Sequence, residues 1–200
     1  MSEGFGRPYY DRWYRHPRHR VATHAERSRI ARTIISIAEQ LLERRVRTVL
    51  DVGCGEGLWA AALRRERPRI RYVGIDPSAY VVQRFGAQRN IRQGDIASLA
   101  SLDVAGPFDL ILCNDVLHYV AAPALHAGMR SLVERLRGVA YLGLFTSADD
   151  IEGDLEGFFR RPPSFYRDAF AAAGLRTVGM HCWIPKQLAH DRAALEVSGA

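Results

Sequence analysis

The sequence predicts an α/β fold: a mostly parallel sheet covered by helices on both faces. Three observations carry that expectation. From Val46 onward, apolar runs alternate with stretches of helical spacing. The runs are continuously apolar, as strands buried on both faces must be. The first run ends in a glycine-rich bend that leads straight into a helical pattern.

The elements follow in order. Ser28 to Arg45 is strongly amphipathic and reads as a helix leading into the sheet. Arg47 to Gly53 reads as the first strand, and Leu58 to Pro68 as a helix stopped by proline. Arg71 to Asp76 is the second strand, and Pro77 to Gln88 a helix with proline near its start. Asn90 to Ile96 is a short third strand, and Phe108 to Asp115 a fourth. Pro123 to Arg137 has helical spacing, and Val139 to Thr146 reads as a fifth strand. Pro163 to Gly174 is a helix with a glycine stop, followed by a strand over Arg176 to Ile184. A last strand is placed near Ala194 to Val197. Residues 1–27 are set apart as an aromatic and basic arm or lid, and residues 28–200 as one domain.

Composition narrows the function classes. The 200 residues suit one core, and the 48% hydrophobic and 25% charged contents are ordinary for a globular chain. No apolar stretch reaches ~20 residues, and the N-terminus lacks a signal-peptide core, so a membrane partner is not expected. Cys54, Cys113 and Cys182 are far apart and odd in number, which points away from a disulfide framework and toward a reducing, cytoplasmic setting. The net charge of +6 is compatible with nucleic acid as a partner. The charge is nearly all arginine scattered through helices, which favours the plainer reading of a solvated surface.

The densest signal is Val49-Leu-Asp-Val-Gly-Cys-Gly-Glu-Gly57. Gly53, Gly55 and Gly57 make a GxGxG bend, neither the GxGxxG of dinucleotide sites nor a P-loop. Asp51 lies two positions before the first glycine. A carboxylate there suits a ligand with a cationic amine and a sulfonium better than a pyrophosphate. Asp76 closes the second strand and is placed to accept from two ribose hydroxyls. Asp95 closes the third, with the Ile96 N–H beside it, matching an adenine edge. Three acids at consecutive strand tips thus converge on one crevice.

These motifs, VLDVGCGEG, VGIDPS, QGDIASL and FDLILCNDVLHYV in order, resemble the class I S-adenosylmethionine-dependent methyltransferase family. The resemblance spans about Val46 to Thr146 and implies a Rossmann-like, seven-stranded sheet with its last strand antiparallel. It implies S-adenosylmethionine as cofactor. Asp51 and Gly53 would hold the methionine part, Asp76 the ribose, and Asp95 and Ile96 the adenine, with Gly55, Gly57 and Pro77 also counted as cofactor-binding. Asn114 would face the methionine amine.

On the acceptor side, His118 just past the fourth strand is a candidate general base, with an ordinary packing role as the alternative. Tyr9, Tyr10, Trp13 and Tyr14 in the arm, with Tyr119, Phe158, Arg160 and Arg161, are candidates for enclosing an acceptor. No metal site is expected: His16-Pro-Arg-His19 lacks partners, and Asp115, Asp149 and Asp150 are not tied together in sequence. The leading expectation is methyl transfer to an O or N atom of a small molecule. RNA or protein as acceptor, and cofactor binding without catalysis, are the alternatives. Oligomeric state is left open.

Overall fold

In a computed structural model the chain is described over residues 5–16, 23–151 and 155–191. Seven strands form one sheet in the order β3-β2-β1-β4-β5-β7-β6. They are β1 (Thr48–Val52), β2 (Arg71–Asp76), β3 (Ile91–Gln93), β4 (Phe108–Asn114), β5 (Leu136–Gly143), β6 (Leu175–Gly179) and β7 (Cys182–Pro185). β1 to β5 pair in parallel, while β7 runs antiparallel to both β5 and β6. Every residue of β1 is buried, as are the first six of β4. The chain order reverses beside β1, and the tips of β1 and β4 form the switch point where ligands of such sheets bind.

One core lies on the sheet face covered by α5 (Ala122–Glu134) and α6 (Pro163–Ala172), with Leu50, Ile111, Leu132 and Phe170. The other lies under α2 (His24–Leu42) and α3 (Leu58–Glu66), with Ile34, Ile35, Leu63 and Leu110. α2 buries Ala31, Ile34, Ile35 and Ala38, the i, i+3, i+4, i+7 stripe of an amphipathic helix. α4 (Ala79–Arg89) follows β2. Among the described residues, no helix is long and apolar enough to cross a membrane.

Several boundaries differ from the sequence expectation. α2 starts at His24 rather than Ser28, because Thr23 and Glu26 form a reciprocal cap. The Glu26 N–H donates to Thr23 Oγ1 at 3.1 Å, and the Thr23 N–H to Glu26 Oε2 at 2.8 Å. α5 ends at Glu134, so β5 begins three residues before the expected Val139. The single strand expected over Arg176 to Ile184 is a hairpin, β6 and β7. Gly179, Met180 and His181 take φ of 89°, 52° and 60° and reverse the chain. Met carries no sequence signal for that backbone, and His only a weak one. The strand expected near Ala194 lies outside the described residues.

At the opposite end of the strands, Asp109 of β4 holds the segment that follows α2. Its carboxylate accepts from Arg44 at 2.6 Å, Arg137 at 2.6 Å and the Arg47 N–H at 2.7 Å. Burial opposes the charge, but the Arg44 hydrogen bond and the Arg47 amide outweigh it and hold the carboxyl below its ordinary range. This cluster is structural and lies away from the crevice.

Candidate functional site

The loop between β1 and α3 folds back on β2. The Gly53 and Cys54 amides both donate to the Ile75 carbonyl, at 2.8 and 3.0 Å. Gly53 and Gly55 have φ of 71° and 52°, the left-handed region that glycine enters at little cost. A side chain at Gly53 would strike Val116, and one at Gly55 would overlap the Tyr14 phenol. Both strands' tips therefore meet over bare backbone.

Asp76 is the electrostatic centre of this side. One carboxylate oxygen accepts the Gly55 N–H at 2.7 Å; the other accepts the Ser78 N–H at 2.9 Å and the Tyr10 hydroxyl at 3.3 Å. Burial raises its pKa and the two amides pull it back. Pro77, half-buried, follows it. Asp51 is fully buried and accepts the Tyr72 hydroxyl at 2.6 Å. Burial, with the Asp76 charge adding to it and Tyr72 opposing, pushes Asp51 up to about 7. Gly57 caps the start of α3 at φ 71°.

Asp95 is exposed and closes a turn, accepting the Ser98 N–H at 2.8 Å. Ile96 is buried under α5, where a side chain at Gly128 would strike it. Asn114 donates to Asp115 at 2.8 Å, and its carbonyl oxygen lies where a Gly143 side chain would project. Asp115 has φ 57°, held by its N–H to the Gly143 carbonyl at 2.8 Å. Burial pushes its carboxyl up to about 6. The sequence weighed Asp115 only as a cation ligand. Its left-handed backbone and Tyr141 nearby were not legible there.

The arm folds onto this crevice. α1 (Arg7–Tyr10) runs into a wider helical turn over Asp11–Arg15. Tyr10 is buried with Cys54, Val81 and Ile91, and Phe5, Tyr9, Tyr14 and Tyr80 pack around it. Tyr10 stacks on Tyr80 at 5.6 Å and 29°. Arg15 pairs with Glu56, and the Ser78 hydroxyl donates to the Phe5 carbonyl at 2.6 Å. Trp13 is buried and Arg12 lies over its ring. His19 lies outside the described residues.

Past β4, His118 is only 2% exposed. Its Nδ1 accepts the Phe145 N–H at 3.3 Å, and its carbonyl accepts the Phe159 N–H at 2.9 Å. Its ring meets Tyr119 at 4.3 Å and Phe158 at 4.9 Å. Burial pulls its pKa down to about 4. A neutral ring whose Nδ1 accepts carries its proton on Nε2. Arg160 is exposed, while Arg161 is half-buried over the Phe159 and Phe165 rings. The structure thus brings His118, Tyr119, Phe158 and Arg161 to one region, and the four arm aromatics to the other. Tyr72 and Tyr141 escaped the sequence because they meet Asp51 and Asp115 only through long-range contacts. Among the described residues, no group of three His, Cys, Asp or Glu converges as a metal site.

The sequence pattern of a methyltransferase domain family matches residues 19–184. The chain is 32% identical over 136 residues to the trans-aconitate 2-methyltransferase of Deinococcus radiodurans, covering 59% of this chain and 50% of that protein. It is 36% identical over 106 residues to the ribosomal RNA small subunit methyltransferase C of Klebsiella pneumoniae, covering 50% of this chain and 31% of that protein. It therefore spans half or less of these relatives. Its fold is similar to that of the plantazolicin methyltransferase BamL, solved with a triazolic desmethylPZN analogue and SAH, with a TM-score of 0.63 and 18% identity, covering 84% of this chain and 74% of that one.

Proposed function

The chain belongs to the methyltransferase domain family, and on that premise we propose that it is an S-adenosylmethionine-dependent methyltransferase acting on an O or N atom of a small molecule. The observation that carries the reading is the cradle itself: backbone free of side chains at Gly53 and Gly55, with the Asp76 carboxylate anchored beside it by two amides. When bound, the cofactor supplies a methyl group on a positively charged sulfur. Asp76 and Pro77 would hold the ribose, Asp95 and Ile96 the adenine, and Asp51, Gly53, Gly55, Gly57 and Asn114 the methionine part. Asp51 acts from behind, since it is buried against Tyr72.

The acceptor side divides its work between two residues. His118 has its Nδ1 lone pair committed to Phe145, so its Nε2–H serves as a donor that orients the acceptor rather than as a base. Asp115, with its carboxyl near 6, is ionised at neutral pH yet basic enough to take a proton from an acceptor hydroxyl or ammonium. The arm acts as a lid. Tyr14 lies on the backbone that the cofactor needs and Tyr10 holds Asp76, so the arm must lift for entry and can then exclude water.

A second reading, an RNA acceptor, is favoured by the net charge of +6. One assay tests both: conversion of S-adenosylmethionine to its demethylated product with small hydroxyl and amine acceptors or with RNA, at low and high salt. Salt-insensitive turnover on small acceptors supports the proposal. Turnover on RNA alone, or on nothing, contradicts it.

A further inference from the structure

Two buried polar atoms on the acceptor side meet no hydrogen-bond partner: Nη1 of Arg161 and the hydroxyl oxygen of Tyr166. Tyr166 is only 3% exposed. Burial pushes its phenol up, while Arg161, approaching as a hydrogen-bond donor and adding its charge, pulls it the other way, so the two groups face one another without closing a well-formed bond. Among the described residues, no carboxylate pairs with Arg161. Its guanidinium instead lies over the rings of Phe159, at 4.4 Å, and Phe165, at 4.7 Å. Leaving such groups unmatched costs free energy, the more so for a charged one.

The backbone fixes this arrangement. The Arg161 carbonyl accepts the Ser147 N–H at 2.8 Å, which pins the segment to the loop after β5. α6 begins two residues later, with no side-chain cap and no acid in its first turn, so its positive end adds to the guanidinium. Two residues before Arg161, the Phe159 N–H bonds the His118 carbonyl. The segment that carries Arg161 is therefore tied through its backbone to His118.

We infer that Arg161 and Tyr166 form a carboxylate-binding subsite, so that the methyl acceptor is an organic acid. This rests on the reading of the His118 side as the acceptor pocket. A guanidinium fork matches a carboxylate's two oxygens, and a phenol supplies a further donor. The single positive charge balances one carboxylate. A phosphate dianion would remain half-compensated between two phenylalanine faces.

The test titrates the full chain with benzoate, its neutral counterpart benzamide, and inorganic phosphate, followed by NMR. S-adenosylhomocysteine binding is measured on the same samples. Benzoate is expected to bind at least about tenfold more tightly than benzamide or phosphate. Arg161→Gln is expected to weaken benzoate roughly 10- to 100-fold and Tyr166→Phe about fivefold, as lost bonds to a charged and a neutral donor imply. S-adenosylhomocysteine affinity stays unchanged in both variants. Equal binding of benzoate and benzamide by the unmodified chain, a preference for phosphate, or unchanged benzoate binding in both variants overturns the inference. Absence of S-adenosylhomocysteine binding would instead count against the methyltransferase reading, which keeps the two failures apart.

Discussion

The two halves of the crevice satisfy their polar groups in different ways. On the cofactor side, Asp76 is matched on both oxygens, by the Gly55 amide 21 residues before it, the Ser78 amide two residues after it and Tyr10 of the arm. On the acceptor side, His118 is held by backbone 27 residues away, and Arg161 and Tyr166 are left unmatched. The first half is complete within the chain, its carboxylate already held in place. The second, on the proposal above, leaves donors for a group that the chain does not supply. The difference teaches where an acceptor could be read: at the half whose polar groups are not already matched.

The largest effect expected is on the acceptor side. Asp115→Asn should lower kcat by about 10²- to 10⁴-fold, the usual worth of a positioned base, and leave cofactor affinity intact. In the unmodified chain, kcat/KM should fall as pH drops through about 6, because the base must be ionised and its carboxyl titrates there. The variant should lose that acid limb. If the limb persists, another group is the base and the division of labour fails.

Next comes the cofactor side. Asp76→Ala removes the carboxylate and orphans two amides, so S-adenosylhomocysteine affinity should fall roughly 10- to 100-fold by calorimetry. A change confined to acceptor KM would erase the distinction between the halves. Smaller is the effect of the arm. Tyr14→Ala uncovers Gly55, and association and dissociation of S-adenosylhomocysteine should both accelerate, roughly tenfold if about 1.4 kcal/mol of contact is released. Stopped-flow rates identical to those of the unmodified chain would show that the arm is not a lid. The smallest lies outside both halves: Thr23→Ala breaks the α2 cap and should cost about 1 kcal/mol of stability in urea, with no change in either binding constant.

What the sequence made legible follows distance along the chain. Strand runs, proline stops and the glycine bend are local signals, and β2 falls on its expected residues, Arg71 to Asp76. The Thr23–Glu26 cap is local too, a [ST]xxE pattern at the head of the helix that the apolar periodicity alone passes over. The hairpin between β6 and β7 was not legible, because Met180 and His181 adopt a left-handed backbone imposed by the sheet. Nor was the bond that commits His118 Nδ1, since its donor belongs to another strand's end. Tyr166 looked like an ordinary helix residue, and only its unmatched oxygen marks it out.

The central claim is that a glycine bend free of side chains, beside an amide-anchored carboxylate, seats an adenosyl cofactor. Isothermal titration of S-adenosylhomocysteine into the folded chain tests it most directly. The account predicts saturable one-to-one binding that weakens when Asp76 is replaced by alanine. Flat heats from correctly folded protein, at ligand concentrations well above the micromolar range, would contradict it.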